Sequence, residues 1–169
     1  MKRAISLFLI FVWILCLAGC AAEKVEIQDS VRFYYPRSKA TYGSADSVIT
    51  WEEREAAGHM EDYEYLVALY LKGPETESLS RTFPMNVTIK DLHIIGDTAQ
   101  VILNDHASRL TGLDLTIACA CLAATVSELT GVHSVTIQAE SALLDGNPAI
   151  TMDRDQILLL DESAAAAAN

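Results

Sequence analysis

Asp105 and His106 set a carboxylate beside an imidazole, two side chains that often work together in general acid–base catalysis. They lie in a polar run, Asp105 to Gly112, where neighbouring side chains face water, so the expected reading is a solvated loop. The other histidines, His59, His93 and His133, are scattered, and neither HExxH nor His-x-x-x-His spacing occurs. No GxSxG, phosphate-loop or dinucleotide glycine pattern is present. Cys119 and Cys121 are two apart, so on a helix they point in different directions and are poorly placed to bridge. No further ligands adjoin them for a metal, which leaves buried small apolar residues as the reading. Glu52, Glu53 and Glu55, with Glu61 and Asp62 beyond, form an acidic run. A solvated face is its expected role, and a cation site or a docking surface for a basic partner is the alternative. Tyr34, Tyr35, Tyr42 and Trp51 suit a glycan-binding surface or strand-core packing, and packing is the preferred reading. These residues assign no catalytic group, no metal ligand and no cofactor site, and the expectation is a protein that is not an enzyme.

The cysteine with a chemical role is Cys20. Lys2 and Arg3 precede an apolar run, Ile5 to Leu17, interrupted only by Ser6 and short for a membrane span. The run ends in Leu17-Ala18-Gly19-Cys20, which resembles a bacterial lipobox. The resemblance implies cleavage before Cys20 and lipidation of its thiol, with acyl chains such as palmitate holding the domain on the extracytoplasmic side of the cell membrane. Each buried CH2 contributes about 0.8 kcal/mol, so more than one chain gives stable anchoring. An uncleaved anchor or a plain secretory peptide is the alternative, and either also places the domain outside the cytoplasm.

The expected organisation is a signal peptide over 1–19, a lipid-anchored tether over 20–30, a folded domain over 31–162 and a frayed alanine-rich tail over 163–169. Loss of Lys2 and Arg3 with the signal peptide takes the net charge from −11 to −13. That balance excludes nucleic acid as the expected partner, because phosphate binding needs a cationic face. It also argues against electrostatic adhesion to anionic lipid.

The elements that must position these side chains centre on Leu113 to Ala139. Leu115, Ala118, Cys119, Leu122, Val126 and Leu129 share one helical face, and the alanines let that face pack closely. Gly131 is placed to end the helix in a left-handed conformation. Val135, Ile137 and Ala139 then alternate with Thr136 and Gln138 as a strand. Upstream, Val31 to Tyr35 and Ser47 to Arg54 read as strands, and Glu61 to Lys72 as a helix stopped by Gly73-Pro74. Asn86 to Ile95 and Ala99 to Leu103 read as a hairpin across Gly96-Asp97, with a break in alternation near Asp91 that suits a bulge. A polar bend at Gly146-Asn147-Pro148 leads to a last apolar run, Ile157 to Leu160. The order β-β-α-β-β-α-β predicts a single small α+β domain, two helices on one face of a mostly antiparallel sheet.

Several segments, in this order, resemble the GerMN domain of bacterial sporulation and germination lipoproteins. They are Val31-Arg32-Phe33-Tyr34-Tyr35-Pro36, Glu52-Glu53-Arg54, the helix Tyr65 to Leu71 with its Lys72-Gly73-Pro74 end, Ser80 with Phe83-Pro84, Gly96 to Val101, and Thr125 to Ile137. The match runs over roughly 31–146. The chain departs in carrying Leu103-Asn104-Asp105 where the family often has Asp-Leu-Ser, and it has room for one copy of the domain. The resemblance implies a fold akin to ring-building motifs, used for protein assembly in the cell envelope, with no catalytic residues to transfer. The expected function is therefore a membrane-anchored envelope lipoprotein that binds protein partners in sporulation, germination or envelope assembly. An extracytoplasmic binding module for peptidoglycan or a small solute is the alternative. Exposed sheet edges would permit strand-addition contacts, including oligomers.

Overall fold

In the computed structural model the structure describes residues 30–38, 48–56 and 58–157. The strands are β1 (Ser30–Pro36), β2 (Ile49–Glu55), β3 (Ile89–Ile95), β4 (Thr98–Leu103), β5 (Ser134–Ala139) and β6 (Ile150–Asp153). The helices are α1 (Tyr63–Leu71) and α2 (Gly112–Thr130), with short 3-10 turns at Asp105–Arg109 and Arg154–Gln156. Signal peptide, tether residues before Ser30, Tyr42 and the run beyond Ile157 lie outside the described residues.

The α+β domain expected from the pattern is present, and its strands divide into two sheets. β1 and β2 pair antiparallel, while the second sheet runs in the order β3-β4-β5-β6. Its β3–β4 and β5–β6 pairs are antiparallel and its β4–β5 pair is parallel. The parallel pair follows from α2. A 19-residue helix carries the chain about 28 Å, back past the start of β4, so β5 must restart in the same direction. Alternation then does the packing. Ala99, Val101 and Leu103 lie opposite Val135, Ile137 and Ala139, and all six are buried.

The predicted face of α2 is buried from Leu115 to Val126, but so are Cys121, Ala123, Thr125 and Ser127 on its other sides. The reason is two-sided packing: α2 contacts both the larger sheet and β1. Small residues let β1 come close enough for Tyr34 N to donate to Thr125 Oγ1 at 3.0 Å, which satisfies a buried strand edge from a helix side chain. Gly131 closes the helix at φ +76°, its N–H donating to Ser127 O at 2.8 Å. Asp62 caps α1, with Oδ1 accepting from Tyr65 N at 3.0 Å. The irregularity expected near Asp91 is a register shift between Ile89 and Asp91. The last strand among the described residues is β6, on the antiparallel return from the 146–148 bend, and it precedes the apolar run that begins at Ile157.

Candidate interaction surface

The acidic run expected to face solvent splits in two. Glu53, Glu55, Glu61 and Asp62 are exposed, but Glu52 and Arg54 are each only 7% exposed. Strand period decides this: residues 52 and 54 share the inner side of β2, where Glu52 lies opposite Phe33. Glu52 accepts from Glu75 N at 3.1 Å and from Thr76 N at 3.0 Å. Arg54 donates to Gly73 O at 3.2 Å and pairs with Glu75 Oε1 at 2.7 Å. Its Nε has no hydrogen bond and lies 3.6 Å from Glu52 Oε1 as an ion pair. From the other side, Arg81 Nη1 donates to Leu71 O at 2.8 Å, and Nη2 donates to Lys72 O. These carbonyls end α1, where cations are favoured. Gly73, at φ +91°, leaves room for this grip: a Cβ there would meet Arg81 Cζ at 2.9 Å. Glu52-x-Arg54, Gly73-Pro74 and Arg81 thus form one clamp on the loop after α1. A carboxylate filled by backbone donors is not free to serve as a base or cation ligand, so this chemistry is structural.

Asp105 also holds backbone, through one of its two oxygens. Its Oδ1 accepts from Ser141 N at 2.7 Å and Ala142 N at 2.9 Å, fastening the loop after β5. Those two hydrogen bonds hold the carboxyl below the ordinary carboxylate range. His106 is exposed and is not among its partners. The other histidines sit near local carboxylates: His93 to Asp91 at 2.8 Å, His59 to Asp62 at 3.8 Å and His133 to Asp155 at 4.0 Å. Among the described residues no group of three His, Cys, Asp or Glu could hold a metal ion.

Tyr35 packs in the core as preferred, stacked on Tyr70 at 4.9 Å, and its hydroxyl donates to Tyr70 O at 2.8 Å. Tyr34 is buried too, while Trp51 lies half-buried on the outer side of β2 with Arg32 Cζ 4.6 Å above its ring. Cys119 and Cys121 are free and fully buried. Burial pushes the Cys119 thiol up to about 12 and the Cys121 thiol higher still, so both are inert. A cleft of about 510 Å³ lies between the end of β1, the Ser80–Pro84 loop and the first turns of α2, lined by Arg37, Ser80, Arg81 and Asp114.

The surface that sequence reasoning did not single out is β3. It is an edge strand, and among the described residues nothing pairs with its outer side. Gly96-Asp97 is a two-residue turn, so Ile95 and Thr98 form its hydrogen-bonded closing pair. Alternation then turns the backbone N–H and C=O of Leu92 and Ile94 outward. Ile94 is 44% exposed and Ile95 70% exposed at this edge. Beside it runs a cleft of about 500 Å³ with Leu92 and Tyr63 on its apolar side and Glu61, Asp62 and Glu64 on its rim. Two adjacent isoleucines out of strand phase were the available signal, since one of them had to face water.

A family model described as "Germane: Sporulation and spore germination" matches residues 32–145. The chain belongs to the Germane family. Its fold is similar to the tandem GerMN domains of the sporulation protein GerM from Bacillus subtilis, at a TM-score of 0.55 and 15% identity, over 74% of this chain and 45% of that one. A Clostridium perfringens chain described as a candidate lipoprotein also matches, at a TM-score of 0.47 and 15% identity, over 76% of this chain and 89% of that one. No curated protein sequence matches this one. The Germane match spans β1 through β5, so it takes in both the clamp on the loop after α1 and the β3 edge.

Proposed function

We propose that this Germane-family protein is a lipoprotein anchored through Cys20 on the extracytoplasmic side of the cell membrane, where it binds a protein partner in an envelope complex of sporulation or germination and catalyses no reaction. The unpaired β3 edge carries this reading. It offers open main-chain donors and acceptors together with exposed Ile94 and Ile95, the two ingredients of strand-addition binding. The polar groups that sequence singled out for chemistry, Glu52 and Asp105, are taken up by backbone donors and hold loops in place. The anchor rests on Leu17-Ala18-Gly19-Cys20.

Crosslinking and capture of the anchored protein from its own cells tests the proposal, with Cys20→Ala as the control. The expected result is fractionation with membranes, release by Cys20→Ala, and envelope proteins whose capture weakens when the anchor is lost. Capture of wall glycan without protein, or a cytoplasmic wild-type protein, would overturn it.

A further inference from the structure

We infer that the β3 edge takes an extended segment of a partner protein in which basic residues alternate with aliphatic ones. This rests on the partner-binding reading above and names the chemistry of the partner at that site. Three observations meet along one line of the surface. The outward backbone groups of Leu92 and Ile94 can accept one more strand, because β3 has no neighbour on that side among the described residues. Leu92 and Ile94 provide aliphatic contact on the side that faces α1, with Tyr63 across the cleft. Glu61, Asp62 and Glu64 rim that cleft, and among the described residues that line it the one base is His59, 3.8 Å from Asp62. Glu61 and Glu64 have no basic partner among the described residues.

A strand laid antiparallel on β3 would set its cationic side chains on the side that faces α1, their stems beside Leu92 and Ile94 and their charged ends at the three carboxylates, and its aliphatic side chains on the other side, beside the exposed Ile95. The same charge argues against a second copy of this chain as the occupant. Two mature chains each carrying −13 repel, and pairing would bring two acidic rims together. The expected order of contributions is main chain first for affinity, then charge for partner choice.

The test uses the full mature chain in detergent and two synthetic peptides. One alternates Lys or Arg with Val or Ile over seven residues, and the other replaces each base by Glu. Fluorescence anisotropy should show the basic peptide binding and the acidic one not, with affinity falling as salt rises. Ile94→Pro removes an outward N–H on an edge strand and leaves the β3–β4 ladder intact, so the fold survives. It should weaken the basic peptide at least tenfold. Glu61→Gln with Glu64→Gln should weaken it several-fold at low salt, and the difference should vanish at 1 M salt. Equal binding of both peptides, no binding of either, no effect of Ile94→Pro in a folded protein, or self-association lost in Ile94→Pro would each overturn the inference. Capture of envelope proteins from cells by Ile94→Pro at wild-type levels would sink this assignment and leave the partner-binding function standing.

Discussion

Replacing Glu52 by Ala should destabilise the domain by about 3 kcal/mol. The figure comes from two charge-assisted hydrogen bonds, to Glu75 N and Thr76 N, at about 1.5 kcal/mol each. It agrees with the lower end of the roughly 3–5 kcal/mol cost of removing one member of a buried ion pair. Both estimates apply because Glu52 and Arg54 are each 7% exposed. Domain stabilities run from about 5 to 15 kcal/mol, so the loss would be a large share of the total. Urea denaturation of the chain from Ala21 onward reads it directly. With a slope of about 1.5 kcal/mol per M, the midpoint should fall by about 2 M. Glu52→Gln keeps the shape and one acceptor oxygen, and should cost about 1–2 kcal/mol. The double variant Glu52→Ala with Arg54→Ala should be less damaging than the sum of the singles, with a coupling of about 1–3 kcal/mol. Arg54 retains Glu75 and Gly73 O when Glu52 is lost, which keeps that coupling below the full cost of the pair. A loss under about 1 kcal/mol for Glu52→Ala, with additive double-variant behaviour, would show that water replaces the carboxylate and that the clamp is not what holds the loop.

Three further predictions test other parts of the fold. Gly73→Ala should cost about 2 kcal/mol, because an L residue is strained at φ +91° and its Cβ would press on Arg81; by thermal melts it should cost less in an Arg81→Ala background than in the wild type, and an equal cost in both would refute the contact. Burial raises the Cys119 and Cys121 thiols above the ordinary value near 9, so the unfolded chain releases protons first and stability should fall as pH rises from about 9 toward 12, by up to about 1.4 kcal/mol per unit per thiol. Cys119→Ala with Cys121→Ala should reduce that slope in chemical denaturation between about pH 9 and 10, above which buried Tyr35 and Tyr70, whose phenols burial also raises, add losses of the same sign, and native thiols should resist alkylation at pH 8. Asp105→Ala should remove hydrogen-exchange protection at the Ser141 and Ala142 amides while His106→Ala leaves it unchanged; because the Asp105 carboxyl is lowered, its contribution is present above the ordinary range and lost as pH falls below it.

Much of the fold was legible because short-range rules agree with one another here. The period of α2, the stop at Gly131, the β3–β4 turn at Gly96-Asp97 and the alternation of β4 and β5 each follow from a few adjacent residues. The division into two sheets was not legible. It depends on β1 lying along α2 through Tyr34 and Thr125, a contact 91 residues apart in sequence. Glu52 escaped for a related reason. Glu52, Glu53 and Glu55 read as one acidic run, yet the strand sends 52 and 54 inward and 53 and 55 outward, and only Glu75 and Thr76, 23 and 24 residues later, supply the donors that make burial tolerable. Asp105 likewise read as a solvated loop residue beside His106, because its backbone donors, Ser141 and Ala142, lie 36 and 37 residues away in sequence.

An edge strand with two exposed isoleucines is a hazard unless something limits what joins it. Lys90 and Asp91 on β3 offer local charge, and the rim of Glu61, Asp62 and Glu64 extends it along the cleft beside the strand. The rim does not block main-chain pairing; it makes pairing depend on the charge of the incoming strand. A copy of this acidic chain meets repulsion, and so does any strand rich in Asp or Glu, whereas a basic strand gains at each carboxylate it reaches. On the proposal made above, the same arrangement would both suppress self-pairing and select a partner, and so would let the edge stay open on a protein held at a membrane surface where local concentration is high.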